Sequence, residues 1–288
     1  MCSPRFVTNI ELNEAIWRNH YQLVVSAEND VDAMNPQLFG SAFRLLYRGR
    51  KWLITADHVI HPEKHGKLST PKGVDPDDVK HQYHLINNVN AKNEIATLLT
   101  SLDGFYYYKK FESGMLEFTQ EELEELGATE DDFYTRLDLA ICETPYGLPC
   151  PALTHELSNK GEVIVRHGLE KLSLTIDTVS TMPSPGKTYY VYGVVHNDIK
   201  GIRFDRCNAT HGNLHYIEFK DGKFVFNNPD PIINDDWAGL SGSAIFDNEG
   251  KAVGMCLSVD DVTNKVWVMP IGLIIRLIDK TIEYEAKN

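Results

Sequence analysis

Apolar and polar residues alternate in short runs through most of the chain. Early examples are YQLVVSA, SAFRLLYR and KWLITA, at residues 21–27, 41–48 and 51–56. Runs of about five to eight residues that are broken by Gly, Asn, Asp or Pro are typical of β-strands. The same pattern returns at residues 162–179, 188–196, 214–226, 243–259 and 264–269. It predicts a mainly β protein, with hairpin turns at 220–223 (KDGK) and 247–251 (DNEGK), where Gly adopts a positive φ.

Three segments have helical spacing instead. Residues 8–19 place apolar side chains on one helix face after Thr8, a candidate N-cap. Residues 119–127 have the spacing of a capping box and predict a short helix. Residues 270–284 predict an amphipathic helix that begins near Pro270 and caps a barrel.

Many short strands with helices at the two ends predict an all-β protein made of barrels or sandwiches. At 288 residues, two antiparallel barrels of about 130 residues each are more natural than one. Pro and Gly cluster at residues 144–154 (TPYGLPCPALT), which is the best boundary. We expect one barrel over residues 1–148, with an insertion at about 62–135, and a second over residues 149–288.

Composition narrows the classes of function. The chain has 28 Lys and Arg against 41 Asp and Glu, a formal net charge of −13. Phosphate backbones and anionic lipids attract clustered basic residues, so we expect neither a nucleic acid nor a membrane as partner. Residues 117–132 are rich in carboxylates and contain no Lys or Arg. They are either a solvated insertion between strands, or a lid or docking element for a regulatory protein.

Five cysteines without a C-x-x-C pair argue against a zinc ribbon or a thioredoxin-like motif. The first residues lack a basic region followed by an apolar run, so we see no secretory signal. No run approaches the roughly 18 apolar residues of a membrane helix. If the chain is the full product, we expect it in the cytoplasm with reduced thiols. Cys256 lies in an apolar run and reads as a small core residue.

Three apolar runs each carry one reactive side chain. His58 ends KWLITADH, Asp138 lies in RLDLAICE, and Ser241 lies in a Gly-Leu-Ser-Gly turn before a further run. Taken singly, a histidine at a strand end is usually just half-buried, and this tetrapeptide is common. A carboxylate among leucines is less easily dismissed, because a buried carboxylate needs a hydrogen-bonding or charged partner.

Together the three side chains match the needs of acyl transfer. A serine hydroxyl is a poor nucleophile until an imidazole takes its proton. The imidazole needs a carboxylate to hold its tautomer. A glycine-rich turn presents N–H groups to the oxyanion, and Gly239 and Ser241 would supply them. The order His58, Asp138, Ser241 differs from that of α/β-hydrolases and subtilisins and is the chymotrypsin order.

At this point the sequence resembles the trypsin-like (chymotrypsin-fold) serine peptidases, nearer the bacterial HtrA-type and glutamyl-endopeptidase-type branch than the digestive enzymes. The resemblance covers roughly residues 38–278 and lies in six ordered blocks: LFGSAF, LITADHVI, LDLAI, GKTYYVYGV, GLSGSAIFDNEGKAVGM and VWVMPIGLIIRLI. It implies two six-stranded antiparallel β-barrels. It also implies His58 as general base, Asp138 as the residue that orients it, and Ser241 as nucleophile.

The chain departs from the family pattern at the nucleophile turn. Leu240 stands where the digestive enzymes have the Asp that pairs with a newly cut N-terminus, so this turn must be ordered in another way. Asp235, six residues before Ser241, occupies the position of the carboxylate that binds Arg or Lys in trypsin-like enzymes. A surface or loop-capping role is the alternative for Asp235. No peptide-binding domain of the kind found in HtrA proteins follows the second barrel in this sequence.

We therefore expect a serine endopeptidase that cleaves peptide bonds through an acyl-enzyme, without cofactor or metal. His61 and His65 read as loop residues because no acidic or Cys cluster stands at ligand spacing. The expected partner is a protein or peptide substrate, and the net charge favours a basic one. The alternative is a catalytically silent or partner-activated module of the same fold that acts in binding or sensing.

Overall fold

A computed structural model describes residues 9–30, 36–91, 94–102, 106–107, 121, 137–144, 152–153, 156–159, 161–200 and 203–287. The helices are α1 Ile10–Asn19, α2 Asp57–Ile60, α3 Asn234–Trp237 and α4 Ile271–Glu285. The strands are β1 Tyr21–Ala27, β2 Pro36–Tyr47, β3 Arg50–Thr55, β4 His81–Ala91, β5 Glu94–Leu102, β6 Tyr106–Tyr107, β7 Ala140–Glu143, β8 Leu157–Asn159, β9 Glu162–Val165, β10 Thr188–Lys200, β11 Arg203–Lys220, β12 Lys223–Asn227, β13 Ala244–Asp247, β14 Ala252–Asp260 and β15 Lys265–Pro270.

Most of the described strands form two antiparallel assemblies, and β8 and β9 pair as a separate two-stranded sheet. The C-terminal one is a closed barrel of six strands in the order β10-β11-β12-β15-β14-β13. The N-terminal one is a seven-stranded sheet, β5-β4-β1-β2-β3-β7-β6, which makes a half-barrel. The predicted all-β, chymotrypsin-like double barrel with a helix near each end is confirmed. Residues 81–102, which the sequence placed in an insertion, supply β4 and β5 to this sheet.

The predicted hairpin turns form where glycine permits them. At the β11–β12 hairpin, Lys220 pairs with Lys223, and the intervening Asp221 and Gly222 have φ values of 50° and 70°. Two consecutive positive φ values define the turn that matches the right-handed twist of paired strands. Gly250, at φ 82°, turns the chain between β13 and β14 in the same region of backbone space.

The terminal helices follow from their caps and apolar faces. Asn9, one residue after the predicted cap Thr8, accepts hydrogen bonds from the N–H groups of Glu11 and Leu12. Such a cap stabilises a helix by about 1 kcal/mol. α1 then packs on β9 and β10. α4 begins after Pro270, as predicted, and packs on β14 and β15 through buried Leu273, Ile274, Leu277 and Ile278.

Two main apolar cores lie behind the sheets in the described part of the chain, beside a minor cluster of Val24 and Ile86. The larger joins the N-terminal sheet to α1 and α4, and it includes the fully buried Trp17, Phe43 and Trp52. The smaller fills the closed barrel around Tyr189 and Phe226. Cys256 is buried in this second core, as predicted, and burial raises the pKa of its thiol to about 12.

Some predictions fall outside the described residues. They are the helix at 119–127 and the acidic segment 117–132, apart from exposed Glu121, together with the domain boundary near residue 149. Within the described part of the chain, the helices are too short or too polar to cross a membrane.

Candidate active site

His58 is positioned by β3 and the one-turn helix α2. β3 is buried from Trp52 onward, and Ala56 stays extended, at φ −76° and ψ 141°, before α2 begins. Val59 packs against Gly40 of β2, where an added Cβ would lie only 2.5 Å from Val59 Cγ1. Glycine at position 40 therefore lets α2 lie close against the sheet and fixes the backbone that carries His58.

Strand register brings Asp138 beside His58. β7 pairs with β3 in antiparallel fashion, with Ala140 opposite Thr55. The residues just before Ala140 therefore lie across from those just after Thr55. Asp138 and His58 occupy these flanking positions although 80 residues separate them along the chain.

The Asp138 carboxylate makes a close contact with both the ring and the backbone of His58. Its Oδ2 lies 2.7 Å and its Oδ1 3.0 Å from His58 Nδ1, and the backbone N–H of His58 donates to Oδ1 at 2.9 Å. A carboxylate can only accept, so Nδ1 carries the hydrogen in this contact. In the neutral ring, Nε2 is then left with its lone pair free to take a proton.

Electrostatics keep Asp138 ionised. Burial raises the pKa of its carboxyl, but the hydrogen bonds from His58 and the attraction of the His58 and His65 rings outweigh burial, so the pKa lies below its ordinary value. An ionised carboxylate stabilises the positive charge that an imidazole acquires when it takes a proton.

A second carboxylate, which the sequence did not single out, lies next to this pair. Asp57 is fully buried, with His61 Nδ1 2.9 Å from its Oδ1 and His65 Nε2 2.8 Å from its Oδ2. The His65 ring centroid is 6.0 Å from that of His58. His61 and His65 thus contact a buried carboxyl group, a role that their interpretation as loop residues did not include. The four-residue spacing of positions 57, 61 and 65 is the feature of the sequence that could have indicated it. The described residues contain no group of three or more His, Cys, Asp or Glu arranged to hold a metal ion.

Ser241 follows a tight turn that only glycine can complete. Ala238 has φ −63° and ψ 124°, Gly239 has φ 96°, and the N–H of Leu240 donates to the carbonyl of Trp237 at 3.1 Å. These values describe a type II turn, which requires a positive φ at its third residue.

Gly242 anchors the other side of Ser241. It has φ 94°, and an added Cβ would lie 1.8 Å from the carbonyl oxygen of Ser41. Its N–H donates to Cys256 O at 2.9 Å, and the N–H of Ser41 donates to Ser241 O at 2.9 Å. The Gly-Leu-Ser-Gly sequence therefore satisfies two separate steric requirements, and β2 of the N-terminal sheet directly contacts the turn around Ser241.

Leu240 orders the turn by apolar packing. Its side chain is 1 % exposed and belongs to the barrel core. At Gly193 of β10 an added Cβ would lie 2.4 Å from Leu240 Cδ2, so glycine there makes room for the leucine. This packing explains how the turn is ordered although Leu240 stands in place of the aspartate of the digestive enzymes.

The serine hydroxyl and the turn amides have different partners. Ser241 Oγ donates to Leu257 O at 3.0 Å, and among the described residues no hydrogen bond joins it to His58. The N–H groups of Gly239 and Ser241 donate to no acceptor in the described part of the chain. The site thus contains a preformed acid–base pair, two available amides, and a hydroxyl that faces β14.

Asp235 does not line the floor of a buried pocket. It lies in the first turn of α3, and its side chain is exposed. A carboxylate that selects a basic side chain by bidentate pairing is most effective when it is buried. The surface role that the sequence left open is the one that fits this position.

Comparisons with known proteins add neighbours in fold. No family model matches the sequence, and no curated protein matches it. A serine endoprotease from Yersinia pestis is 11 % identical with a TM-score of 0.46. The match covers 97 % of this chain and 68 % of the endoprotease chain. A scabies mite inactivated protease paralogue, S-D1, is 12 % identical with a TM-score of 0.49, covering 98 % and 97 %. Deg5 is 13 % identical with a TM-score of 0.43, covering 93 % and 90 %.

These neighbours are trypsin-like serine proteases and an inactivated paralogue. The double-barrel fold of this chain is defined by its own strand order.

Proposed function

We propose that the protein is a serine endopeptidase that hydrolyses peptide bonds through an acyl-enzyme. The observation that carries the proposal is the Asp138 carboxylate, 2.7 Å from His58 Nδ1, which leaves Nε2 as the base. Ser241 stands on a glycine turn whose neighbouring amides have no acceptor among the described residues. An oriented imidazole, a serine and free amides are the groups that acyl transfer uses.

The chemistry follows from these groups. The Ser241 side chain turns about its Cα–Cβ bond, and Oγ passes its proton to His58 Nε2 while it attacks the substrate carbonyl carbon. The N–H groups of Gly239 and Ser241 donate hydrogen bonds to the carbonyl oxygen and stabilise its negative charge. The C–N bond breaks as His58 returns the proton to the leaving amine. Water then attacks the Ser241 ester by the same route and releases the acid.

A catalytically silent or partner-activated module is the second candidate. The hydrogen bond from Ser241 Oγ to Leu257 O favours it, because this bond uses the hydroxyl proton that His58 would have to take. In a silent protein this arrangement would persist. In a partner-activated one, a ligand would have to bind better to the state in which the hydroxyl faces His58.

Fluorophosphonate labelling tests the proposal, because the probe reacts with an activated serine. We expect the wild-type chain and Ser158→Ala, which removes an exposed serine of β8, to be labelled at one site. We expect Ser241→Ala to remain unlabelled. Labelling that persists in Ser241→Ala would overturn the choice of nucleophile. A wild-type chain that stays unlabelled while folded would support the second candidate.

A further inference from the structure

A second buried histidine lies behind the nucleophile turn. His20 follows α1 and is 4 % exposed, and its ring packs edge-on against Tyr192 with the centroids 4.9 Å apart. Its Nε2 lies 3.0 Å from Ser41 Oγ, and that hydroxyl donates to the carbonyl of Gly239 at 2.6 Å. Neither His20 nor Ser41 belongs to the triad proposed above.

The direction of this chain of hydrogen bonds is fixed by the number of protons. A carbonyl oxygen only accepts, and a hydroxyl has one proton to donate. The proton of Ser41 therefore points at Gly239, and Ser41 Oγ accepts from His20. His20 Nε2 must carry a hydrogen, which both its Nε2–H tautomer and the imidazolium provide.

The chain continues through the peptide group into the turn. The carbonyl of Gly239 and the N–H of Leu240 belong to one peptide unit, and that N–H closes the turn on Trp237 O at 3.1 Å. Hydrogen bonds in series polarise one another, so a donor on the carbonyl strengthens the bond made by the N–H. His20 and Ser41 thereby stabilise the turn at its closing bond.

Ser41 also holds the other side of the nucleophile. Its backbone N–H donates to Ser241 O at 2.9 Å, and its own carbonyl accepts from Thr55 Oγ1 at 2.8 Å. One residue of β2 thus contacts the carbonyls of both Gly239 and Ser241. Room for this contact comes from Gly193, where an added Cβ would lie 3.0 Å from Ser41 Oγ.

We propose that His20 and Ser41 are positioning residues that set the N–H groups of Gly239 and Ser241 for the oxyanion. In this chain they act with buried Leu240 in place of a charged anchor on the turn. The inference rests on the proposed peptidase function. It assigns to the α1–β1 junction, which carries His20, control over the oxyanion site in the C-terminal barrel.

Two matched pairs of variants test this relay, meaning the chain of hydrogen bonds from His20 through Ser41 to the carbonyl of Gly239. His20→Phe keeps a ring against Tyr192 and removes the donor, whereas His20→Gln keeps a donor at the position of Nε2. Ser41→Ala removes the hydroxyl and keeps the backbone N–H, and Ser158→Ala controls for loss of a serine.

The first readout is the rate of fluorophosphonate labelling beside the melting temperature. Loss of one oxyanion donor costs about 10²–10³-fold in rate, so misplacing the donors should cost about 10–100-fold. We expect this loss in His20→Phe and Ser41→Ala, with most of the rate retained in His20→Gln. The two His20 variants should melt at similar temperatures. Wild-type rates in His20→Phe and Ser41→Ala, or equal losses in the two His20 variants, would overturn the relay.

The second readout does not need activity. We expect amide hydrogen exchange of peptides that cover residues 237–242 to become faster in His20→Phe and Ser41→Ala and to stay near wild type in His20→Gln. Unchanged exchange in all variants would overturn the relay whatever the labelling shows. A wild-type chain without labelling would instead overturn the proposed function, so the two failures are told apart. If Ser41→Ala does not fold, the His20 pair decides alone.

Discussion

The two parts of the candidate site are held by different physical forces. Asp138 and His58 are held by charge-assisted hydrogen bonds of 2.7–3.0 Å that reach both the ring and the backbone. The turn around Ser241 is held by glycines at positive φ, by backbone hydrogen bonds and by buried Leu240. The first part should therefore respond to changes of charge, and the second to changes of volume and backbone freedom.

The largest effect expected is on the charged part. Asp138→Asn should lower the rate of fluorophosphonate labelling about 10⁴-fold, because an amide can hold the ring of His58 in the wrong tautomer. Asp177→Asn, which changes an exposed carboxylate far along the chain, is the control. The rate constants of labelling measure both. A loss of less than tenfold in Asp138→Asn would show that His58 does not depend on this carboxylate.

A steric clash should destabilise the turn around Ser241. Gly242→Ala places a Cβ 1.8 Å from Ser41 O at φ 94°, so we expect it to lower the free energy of unfolding by about 3 kcal/mol. Gly222→Ala is matched to it, since Gly222 also has a positive φ, 70°, but has nothing within 4 Å of an added Cβ. That control should cost about 1 kcal/mol. Denaturant unfolding measures both variants. Equal losses in the free energy of unfolding would show that the close contact with Ser41 is not the cause.

Packing of Leu240 should matter slightly less. Leu240→Ala leaves a cavity in the barrel core and should cost about 2–3 kcal/mol. Leu240→Met keeps the volume and should cost less than about 1.5 kcal/mol. Denaturant unfolding and labelling are measured together. If Leu240→Ala slows labelling no more than Leu240→Met does, the side chain stabilises the barrel without ordering the turn.

Acid should first weaken the contact between Asp138 and His58. The pKa of Asp138 in the folded chain lies below its ordinary value of 3.8. A carboxyl with a depressed folded pKa contributes stability that is fully present above the unfolded pKa and is lost as the pH falls through the folded one. The free energy of unfolding should therefore fall below about pH 4 more steeply in wild type than in Asp138→Asn. Parallel curves for the two chains, measured by urea unfolding, would contradict this.

The smallest effect should come from long-range charge. With a net charge of −13, we propose that basic peptides are the better substrates and that salt weakens their turnover, since the field is screened over about 10 Å at 0.1 M. Initial rates on a Lys-rich and a Glu-rich peptide of equal length, measured over a salt series, test this. If the rates on the Lys-rich peptide do not change with salt, the excess negative charge affects only solubility.

Local signals explain what could be predicted from the sequence. The two turns with Gly222 and Gly250, the helix after Pro270 and most of the strand runs depend on neighbouring residues, and they formed as expected. The prediction was wrong at residues 172–179, where the chain forms a 3-10 turn at Ile176–Thr178 in place of a strand. His58 and Asp138 could be paired because His58 follows one apolar strand and Asp138 precedes another, and the register of β3 and β7 then brings them together. The cap Asn9 was missed by one residue, since Thr8 and Asn9 are both good caps.

Contacts between distant segments explain what was missed. Ser41 and Gly239 are 198 residues apart along the chain, and no spacing rule connects them. His20 lies in no motif, and its role depends on the hydroxyl that β2 presents to it. The rotamer of Ser241 is likewise set by Leu257 O, which belongs to another strand.

The contact of β2 with the turn has a consequence for inhibition. Ser41 belongs to the N-terminal sheet, whereas Gly239 and Ser241 belong to the C-terminal half, so two of its hydrogen bonds cross between the halves. A small molecule that entered between the two halves at this point would part the turn from its support. It would thereby disable the proposed catalytic site without reacting with Ser241.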